Sequence, residues 1–116
     1  MAEITQCNAV ITRATLRVGR HGLQFSIGLN TDRGDLAFGS YSLYSPDKAE
    51  EETVRDYAGS FLWRVLSVSG ASAWGELIRK NVRIRTSRND VIAIGHIIED
   101  RWFTPREEYR REPADA

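Results

Sequence analysis

Hydrophobic and polar residues alternate along the first third of the chain with the two-residue period of β-strands. One face of the first predicted strand carries Val10, Thr12, Ala14, Leu16 and Val18. Its other face carries Arg13, Thr15 and Arg17. A glycine-flanked turn at residues 19–22 leads into Leu23, Phe25, Ile27 and Leu29, which again alternate with polar or small residues. With a third strand at residues 36–44, the pattern predicts an antiparallel sheet that has one wet face.

A helical period replaces the strand period in the middle of the chain. Apolar residues recur there at spacings of three and four: Val54, Tyr57, Ala58, Phe61, Leu62, Val65 and Leu66. This spacing predicts a long amphipathic helix that packs on the sheet and ends at Gly70. A short second helix is predicted over residues 73–80 with Ser72 as its N-cap. Its inward-facing residues are predicted to be Trp74, Leu77 and Ile78.

Two more strands and a short helix complete the pattern. Val82, Ile84 and Thr86 alternate with Arg83 and Arg85, and a turn at residues 87–90 leads into a strand over residues 91–98. Thr104, Pro105 and Glu107 form a capping-box pattern, which predicts a last helix to about Arg111. The order β-β-β-α-α-β-β-α predicts an α+β fold, a curled antiparallel sheet of about five strands with one long helix on it. We expect a single domain over residues 1–111 and a disordered tail over residues 112–116.

Composition restricts the function more than it identifies it. The 16 basic and 16 acidic residues give no net charge. Proteins that bind duplex DNA mainly through its phosphates usually have an excess of basic residues. The single cysteine cannot form an intramolecular disulfide, and with only two histidines a Cys/His zinc site is not expected. No apolar run approaches the ~20 residues of a membrane-spanning helix. These features predict a cytoplasmic protein without a cofactor.

His96 is the best single candidate for chemistry, because Glu99 and Asp100 follow it and a His–carboxylate pair can act as a general base. The competing interpretation is structural. On a strand, His96 shares a face with Ile92, Ile94 and Ile98, which predicts a partly buried ring bonded to the backbone. We therefore expect no catalytic, cofactor-binding or metal-binding residues, and a small enzyme that uses His96 remains the alternative.

Basic residues concentrate at two places in the predicted sheet. The first group is Arg13, Arg17 and Arg20, and the second is Arg79, Lys80, Arg83, Arg85 and Arg88. The residues that we predict to bind a partner are Arg83, Arg85, Arg88, Tyr41 and Tyr44. Arginines beside tyrosines also suit a groove that stacks the bases of a nucleic acid. The plainest alternative is a solvated sheet face or protection of an edge strand.

The segments ITRATLRV, FGSYSL, FLWRVLSVSGASAWGELIRKNVRIR and VIAIGHIIEDRWFTPREEY together resemble a widespread group of small phage and prophage proteins of uncharacterised function. The likeness covers roughly residues 8–109, and its most specific part is the ending IGH…DxWFxP. The matching residues are Trp74, Leu77, Val82, Gly95, His96, Asp100, Trp102, Phe103 and Pro105. This chain departs from the group in its middle strand and turn, where the group is richer in glycine, and in its extra C-terminal tail.

The resemblance implies a phage setting but supplies no activity and no catalytic residues. Our first hypothesis is a non-enzymatic accessory protein in the bacterial cytoplasm that binds and blocks a host macromolecule, such as a defence complex, in the manner of anti-CRISPR inhibitors. The alternative is a module that binds single-stranded nucleic acid during phage replication or recombination. Exposed sheet edges also allow a homodimer.

Overall fold

One antiparallel sheet forms most of the protein. A computed structural model describes residues 3–19, 22–44 and 57–108. Within them, six strands lie in the order β3-β2-β1-β4-β5-β6. The strands are Ile4–Gly19 (β1), Gly22–Thr31 (β2), Gly34–Tyr44 (β3), Asn81–Ser87 (β4), Asp90–His96 (β5) and Trp102–Phe103 (β6). An α-helix, Tyr57–Ser69 (α1), a 3₁₀ turn, Trp74–Glu76, and a helical turn at residues 105–108 complete the structure, which is α+β as expected.

The long strand β1 connects the two halves of the sheet. Its residues from Ile4 to Val10 pair with β4, and those from Val10 to Gly19 pair with β2. The register shifts between Ile11 and Arg13, so the alternation changes phase at Thr12. Val10 and Thr12 were predicted to share a face with Ala14, which is wrong, because the bulge inserts one residue between Ile11 and Arg13; both are exposed, whereas Ala14 is half-buried.

The helix α1 packs on one face of this sheet. Phe61, Val65 and Val68 are fully buried against the strands, which confirms the amphipathic pattern. The described helix runs from Tyr57 to Ser69 and has 13 residues, so the greater length that was predicted stays a prediction. Val54, the first residue of the predicted stripe, lies outside the described residues. No helix in the described ranges is long and apolar enough to cross a membrane.

All four phenylalanines of the chain meet at the centre of the core, and each comes from a different element. They are Phe25 of β2, Phe38 of β3, Phe61 of α1 and Phe103 of β6. The Phe61 ring lies 4.8 Å from that of Phe25 and 5.0 Å from that of Phe103, both in edge-to-face geometry. Each buried ring contributes roughly 1.5–3 kcal/mol, so this cluster fixes the helix on the sheet.

The strand β6 was not foreseen. About five strands were predicted, and Trp102 and Phe103 were not assigned to any of them. They instead pair with Gly95 and Ile94 of β5, so one side chain points into the core and the other lies on the opposite face. A two-residue strand is too short to produce a visible alternation. The predicted strand over residues 91–98 likewise ends early, at His96, and Ile98 is 82% exposed.

The predicted second helix over residues 73–80 is also wrong. A 3₁₀ turn at Trp74–Glu76 replaces it, and Ile78, which was expected to point inward, is 48% exposed. Ser72 does not cap a helix. Its backbone N–H and its hydroxyl donate to the carboxylate of Glu76, and these bonds hold the pKa of Glu76 below its usual value. This contact stabilises the turn above the unfolded-state pKa of Glu76, and the stabilisation is lost as the pH falls through the lowered value.

The C-terminal turn is tied to α1 by a single arginine. Arg64 donates through Nε to the carboxylate of Glu108 at 3.1 Å and through Nη2 to the carbonyl of Trp102 at 2.7 Å. The backbone carbonyl of Thr104 accepts from the N–H groups of Glu107 and Glu108, which closes the helical turn. The predicted extension of this helix to Arg111 and the tail at residues 112–116 lie outside the described residues, as does Arg20.

Gly70 ends α1 in the left-handed conformation that the sequence predicts. Its φ is +77°, and its N–H donates to the carbonyl of Leu66 at 3.1 Å. A side chain there has ordinary space, because the nearest atom to an added Cβ is Nε2 of His96 at 3.6 Å. Gly70→Ala should therefore lower the free energy of unfolding by about 1 kcal/mol through backbone strain alone. Urea unfolding followed by circular dichroism measures the loss.

The matched control is Gly59→Ala, also at a glycine near α1. Gly59 lies within the helix, and an added Cβ there meets nothing within 4 Å. Alanine at this position should raise the free energy of unfolding by about 0.5–1 kcal/mol, because it restricts the unfolded chain and favours the helix. If both substitutions shift stability in the same direction, the left-handed cap is not what makes Gly70 necessary.

Candidate partner-binding face

The sheet surface that points away from α1 is the outer face, and it contains the predicted partner-binding arginines. Val82 and Ile84 of β4 are fully buried. Arg83 and Arg85 alternate with them along the strand, so their side chains lie on the outer face. Neighbouring strands contribute further polar side chains in register with them. The outer face includes Gln6, Arg13, Thr15, Arg17, Gln24, Ser26, Gly28, Arg83, Arg85, Gly95 and Trp102.

Trp102 lies flat on the outer face above Gly95. A Cβ built on Gly95 would lie 2.6 Å from two ring atoms of Trp102, so only glycine leaves room for the indole. The guanidinium carbon of Arg85 lies 3.8 Å from the ring centroid of Trp102, and that of Arg83 lies 5.0 Å from it. Both distances are within the range of cation–π attraction. The sheet backbone, the indole and two guanidinium groups thus form one stack, the Trp102 stack.

The two arginines of the Trp102 stack differ in their hydrogen bonds. Arg83 donates through Nε to the carbonyl of His96 and through Nη2 to that of Glu99, both at 2.7 Å. It therefore closes the turn between β5 and β6. Within the described residues, Arg85 makes a single hydrogen bond, a long one of 3.4 Å from its Nε to Oε1 of Gln6. Most donors of Arg85 stay available to a partner, whereas those of Arg83 are largely used.

Arg88 lies in the predicted turn at residues 87–90, at the end of the β4–β5 hairpin. Both central residues have positive φ, +53° at Arg88 and +69° at Asn89, as a two-residue hairpin turn requires. Arg88 is exposed there. The predicted interface thus extends from the middle of β4 to its end.

Tyr41 and Tyr44 are not brought beside these arginines by the strand order. They belong to β3, and β2 and β1 lie between β3 and β4 in the sheet. The side chains of both tyrosines lie outside the described part of the structure. The predicted pairing of these tyrosines with Arg83 and Arg85 therefore stays a prediction.

His96 acts as a hydrogen-bond acceptor within the β5–β6 turn. Its Nδ1 accepts from the backbone N–H groups of Ile98 and Glu99 at 3.1 and 2.9 Å. Nδ1 must be unprotonated to do so, which leaves the ring proton of the neutral form on Nε2. The side chain of His96 is 17% exposed, and Nε2 lies 3.7 Å from Oε2 of Glu99. The prediction of a partly buried histidine bonded to the backbone is confirmed at Nδ1.

The Trp102 stack and the Arg64 link were both missed at the sequence level. The contact between Gly95 and Trp102 lies across two neighbouring strands, so it cannot be predicted before the strand register is known. The available signal was Trp102 itself, a large aromatic residue beside a core phenylalanine and opposite an arginine-bearing strand. Among the described residues, no group of three or more His, Cys, Asp or Glu side chains could hold a metal ion.

Comparison with known proteins finds no matching family model, no similar curated protein and no similar solved structure. The resemblance of the IGH…DxWFxP ending to phage proteins therefore stays a prediction.

Proposed function

We propose that this protein acts by binding an acidic surface of another macromolecule through Arg85 and the surrounding outer face. In the phage setting that the sequence resemblance implies, the partner is a host protein complex, and binding blocks it as anti-CRISPR inhibitors block defence complexes. The observation on which this proposal rests is the Trp102 stack. It presents the guanidinium group of Arg85 in a fixed position on the outer face.

A fixed arginine is a better binding group than a freely rotating one. An exposed arginine loses about 2 kcal/mol of rotamer freedom when a partner immobilises it. Arg85 has already lost part of that freedom, because the indole of Trp102 holds its guanidinium at 3.8 Å. Arginine and tryptophan are also the residues over-represented among the side chains that dominate binding energy at protein interfaces.

The same geometry weakens the idea of a base-stacking platform at this place. A nucleobase needs an open aromatic surface. One side of the Trp102 ring faces Gly95, and the guanidinium of Arg85 lies over the ring as well. Hydrogen bonding by Arg85 to a carboxylate is the recognition that this arrangement favours.

The residues behind the phage resemblance have structural roles in this fold. Gly95 provides space for Trp102, His96 organises the β5–β6 turn, and Phe103 fills the core. A shared ending of this kind would specify a common scaffold. The partner would then be chosen by outer-face residues that lie outside the shared ending, such as Arg85.

Affinity purification of the tagged protein from a CRISPR-bearing bacterial host tests the proposal. We expect a stoichiometric host complex with the native sequence. Arg85→Glu should weaken the affinity for this complex at least roughly 30-fold and so reduce its recovery, because loss of a dominant interface arginine costs about 2 kcal/mol or more. Arg85 is the residue to reverse rather than Arg83, since Arg83 closes a backbone turn and its loss would confound binding with folding.

The matched control is Arg33→Glu, which makes the same charge change at an exposed turn residue between β2 and β3. The control should recover the complex as well as the native protein does. Equal recovery with Arg85→Glu, or an absence of any host protein with the native sequence, contradicts the proposal. Co-purification of nucleic acid alone, seen as excess absorbance at 260 nm, would favour the single-strand-binding alternative.

A further inference from the structure

A second polar site lies on the outer face, on the ribbon formed by β1 and β2. It is a groove of about 370 Å³ lined by Arg13, Thr15, Arg17, Gln24, Phe25 and Ser26. Thr15 and Ser26 are directly opposed across the two strands and form its floor. Arg13 and Arg17 lie on the same face four residues apart, which places their Cα atoms about 13 Å from each other. The groove therefore has hydroxyl groups at its centre and a cationic group at each end.

Two glycines position polar side chains at the ends of this groove. A Cβ on Gly28 would lie 3.0 Å from Oγ1 of Thr12, and 3.2 Å from Cβ and 3.5 Å from Cζ of Arg13, so the arginine extends across the neighbouring strand above this glycine. The Nη2 of Arg13 then approaches Oγ of Ser26 at 3.5 Å. At the other end the amide of Gln24 lies over Gly19, within 2.6 Å of the position that a Cβ would take. The absence of a Cβ at Gly28 and at Gly19 thus leaves the space that the side chains of Arg13 and Gln24 occupy.

The charge of the groove is uncompensated. None of its lining residues is acidic. In the part of the chain that the structure describes, the ion pairs involve Arg64, His96 and Arg101 and include neither Arg13 nor Arg17. The contact between Arg13 and Ser26 is long, so it occupies little of the donor capacity of a guanidinium with five N–H groups.

We infer that this groove binds two linked phosphate groups, one near Arg13 and one near Arg17, with the Thr15 and Ser26 hydroxyls as neutral donors between them. Guanidinium groups assisted by hydroxyl and amide donors are the usual protein ligands of phosphate oxygens. Because the two arginines approach the groove from opposite ends, two linked phosphates could engage both guanidinium groups at the same time. The linked phosphates would come from a nucleic acid strand or from a free polyphosphate. This inference does not rest on the proposed function, because Arg85 lies on a different strand.

Two probes distinguish these sources: a fluorescently labelled twelve-residue oligothymidylate and inorganic pyrophosphate, each titrated at low salt. We expect Arg13→Gln and Arg17→Gln each to weaken binding about 3- to 10-fold. For the oligonucleotide, each should also reduce the slope of log affinity against log salt by about one. Binding of the oligonucleotide alone would identify a strand site, and binding of pyrophosphate would identify a small-ion site. Either result supports a phosphate groove.

Arg33→Gln is the control for a general loss of charge, and it should bind like the native protein. Gly28→Ala tests the positioning, since it keeps every charge but displaces Arg13 and should weaken binding by a similar factor. Thermal unfolding of each variant confirms that the protein stays folded. The inference is overturned if neither probe binds, or if Arg33→Gln weakens binding as much as the groove variants. If Arg85→Glu alone weakens binding of the probes, the inference of a phosphate groove fails, whereas the proposed function is unaffected.

Discussion

Phe103→Ala should lower the free energy of unfolding by about 3–5 kcal/mol, which is the largest effect that we expect from a single substitution in this chain. The ring is fully buried, and it packs against Phe61 at 5.0 Å and Phe38 at 6.4 Å between centroids. The guanidinium of Arg64 covers it at 5.3 Å. Truncation leaves a cavity in the aromatic cluster, and it removes the only core side chain of the two described residues of β6.

Urea unfolding followed by far-ultraviolet circular dichroism measures this loss. Domains of this size are stable by only about 5–15 kcal/mol, so the measurement is best made at low temperature. Phe103→Leu is the matched variant, because it keeps most of the apolar volume and should cost distinctly less. A loss of under 1 kcal/mol for Phe103→Ala would mean that the C-terminal strand is not anchored in the core as described.

Gly95→Ala should cost about 1–3 kcal/mol, although it adds only one methyl group in a strand. The new Cβ would lie 2.6 Å from Cδ2 and Cε3 of Trp102, and those atoms belong to a rigid ring that cannot move away locally. The whole indole must shift, and its contacts with Arg83 and Arg85 shift with it. Alanine is otherwise better than glycine in a strand, so a loss here reflects the tryptophan.

A double-mutant cycle tests this explanation directly. In a Trp102→Ala background the clash is gone, and Gly95→Ala should then be neutral or slightly stabilising. The coupling energy between the two positions should therefore be about 1–3 kcal/mol. Gly95→Ala with the same cost in both backgrounds would show that backbone conformation, not the indole, requires the glycine.

Local sequence patterns predict much of this fold. The alternation of Leu23, Phe25, Ile27 and Leu29 identifies β2 correctly, because side-chain period and burial coincide along one regular strand. Gly70 was identified as a helix end from its position after the apolar stripe, and its positive φ agrees. In both cases a few neighbouring residues determine the structure, without contributions from distant parts of the chain.

The errors have a common physical cause, which is that distant contacts changed the local outcome. Apolar residues stand at both Val10 and Ile11, so the sequence fits either phase of a strand, and pairing with two different neighbours selected the bulge. Ser72 suits a helix N-cap, but the Glu76 carboxylate takes its donors instead. The alternation of β4 correctly predicts that Arg83 and Arg85 lie on the polar face of the strand. It does not reveal that Arg83 has a structural role while Arg85 stays available, because that difference depends on the turn around His96.

The length of β1 has a consequence for how the chain folds as it is made. The ribbon of β1, β2 and β3 is complete once Tyr44 has left the ribosome, since its pairings are local. The first residues of β1, from Ile4 onward, pair only with Asn81–Ser87. At typical synthesis rates of 5–20 residues per second, they wait roughly 4–15 s for that partner. During that interval a segment with an exposed backbone edge must remain unpaired, so the first half of β1 is among the last parts of the described strands to join the sheet.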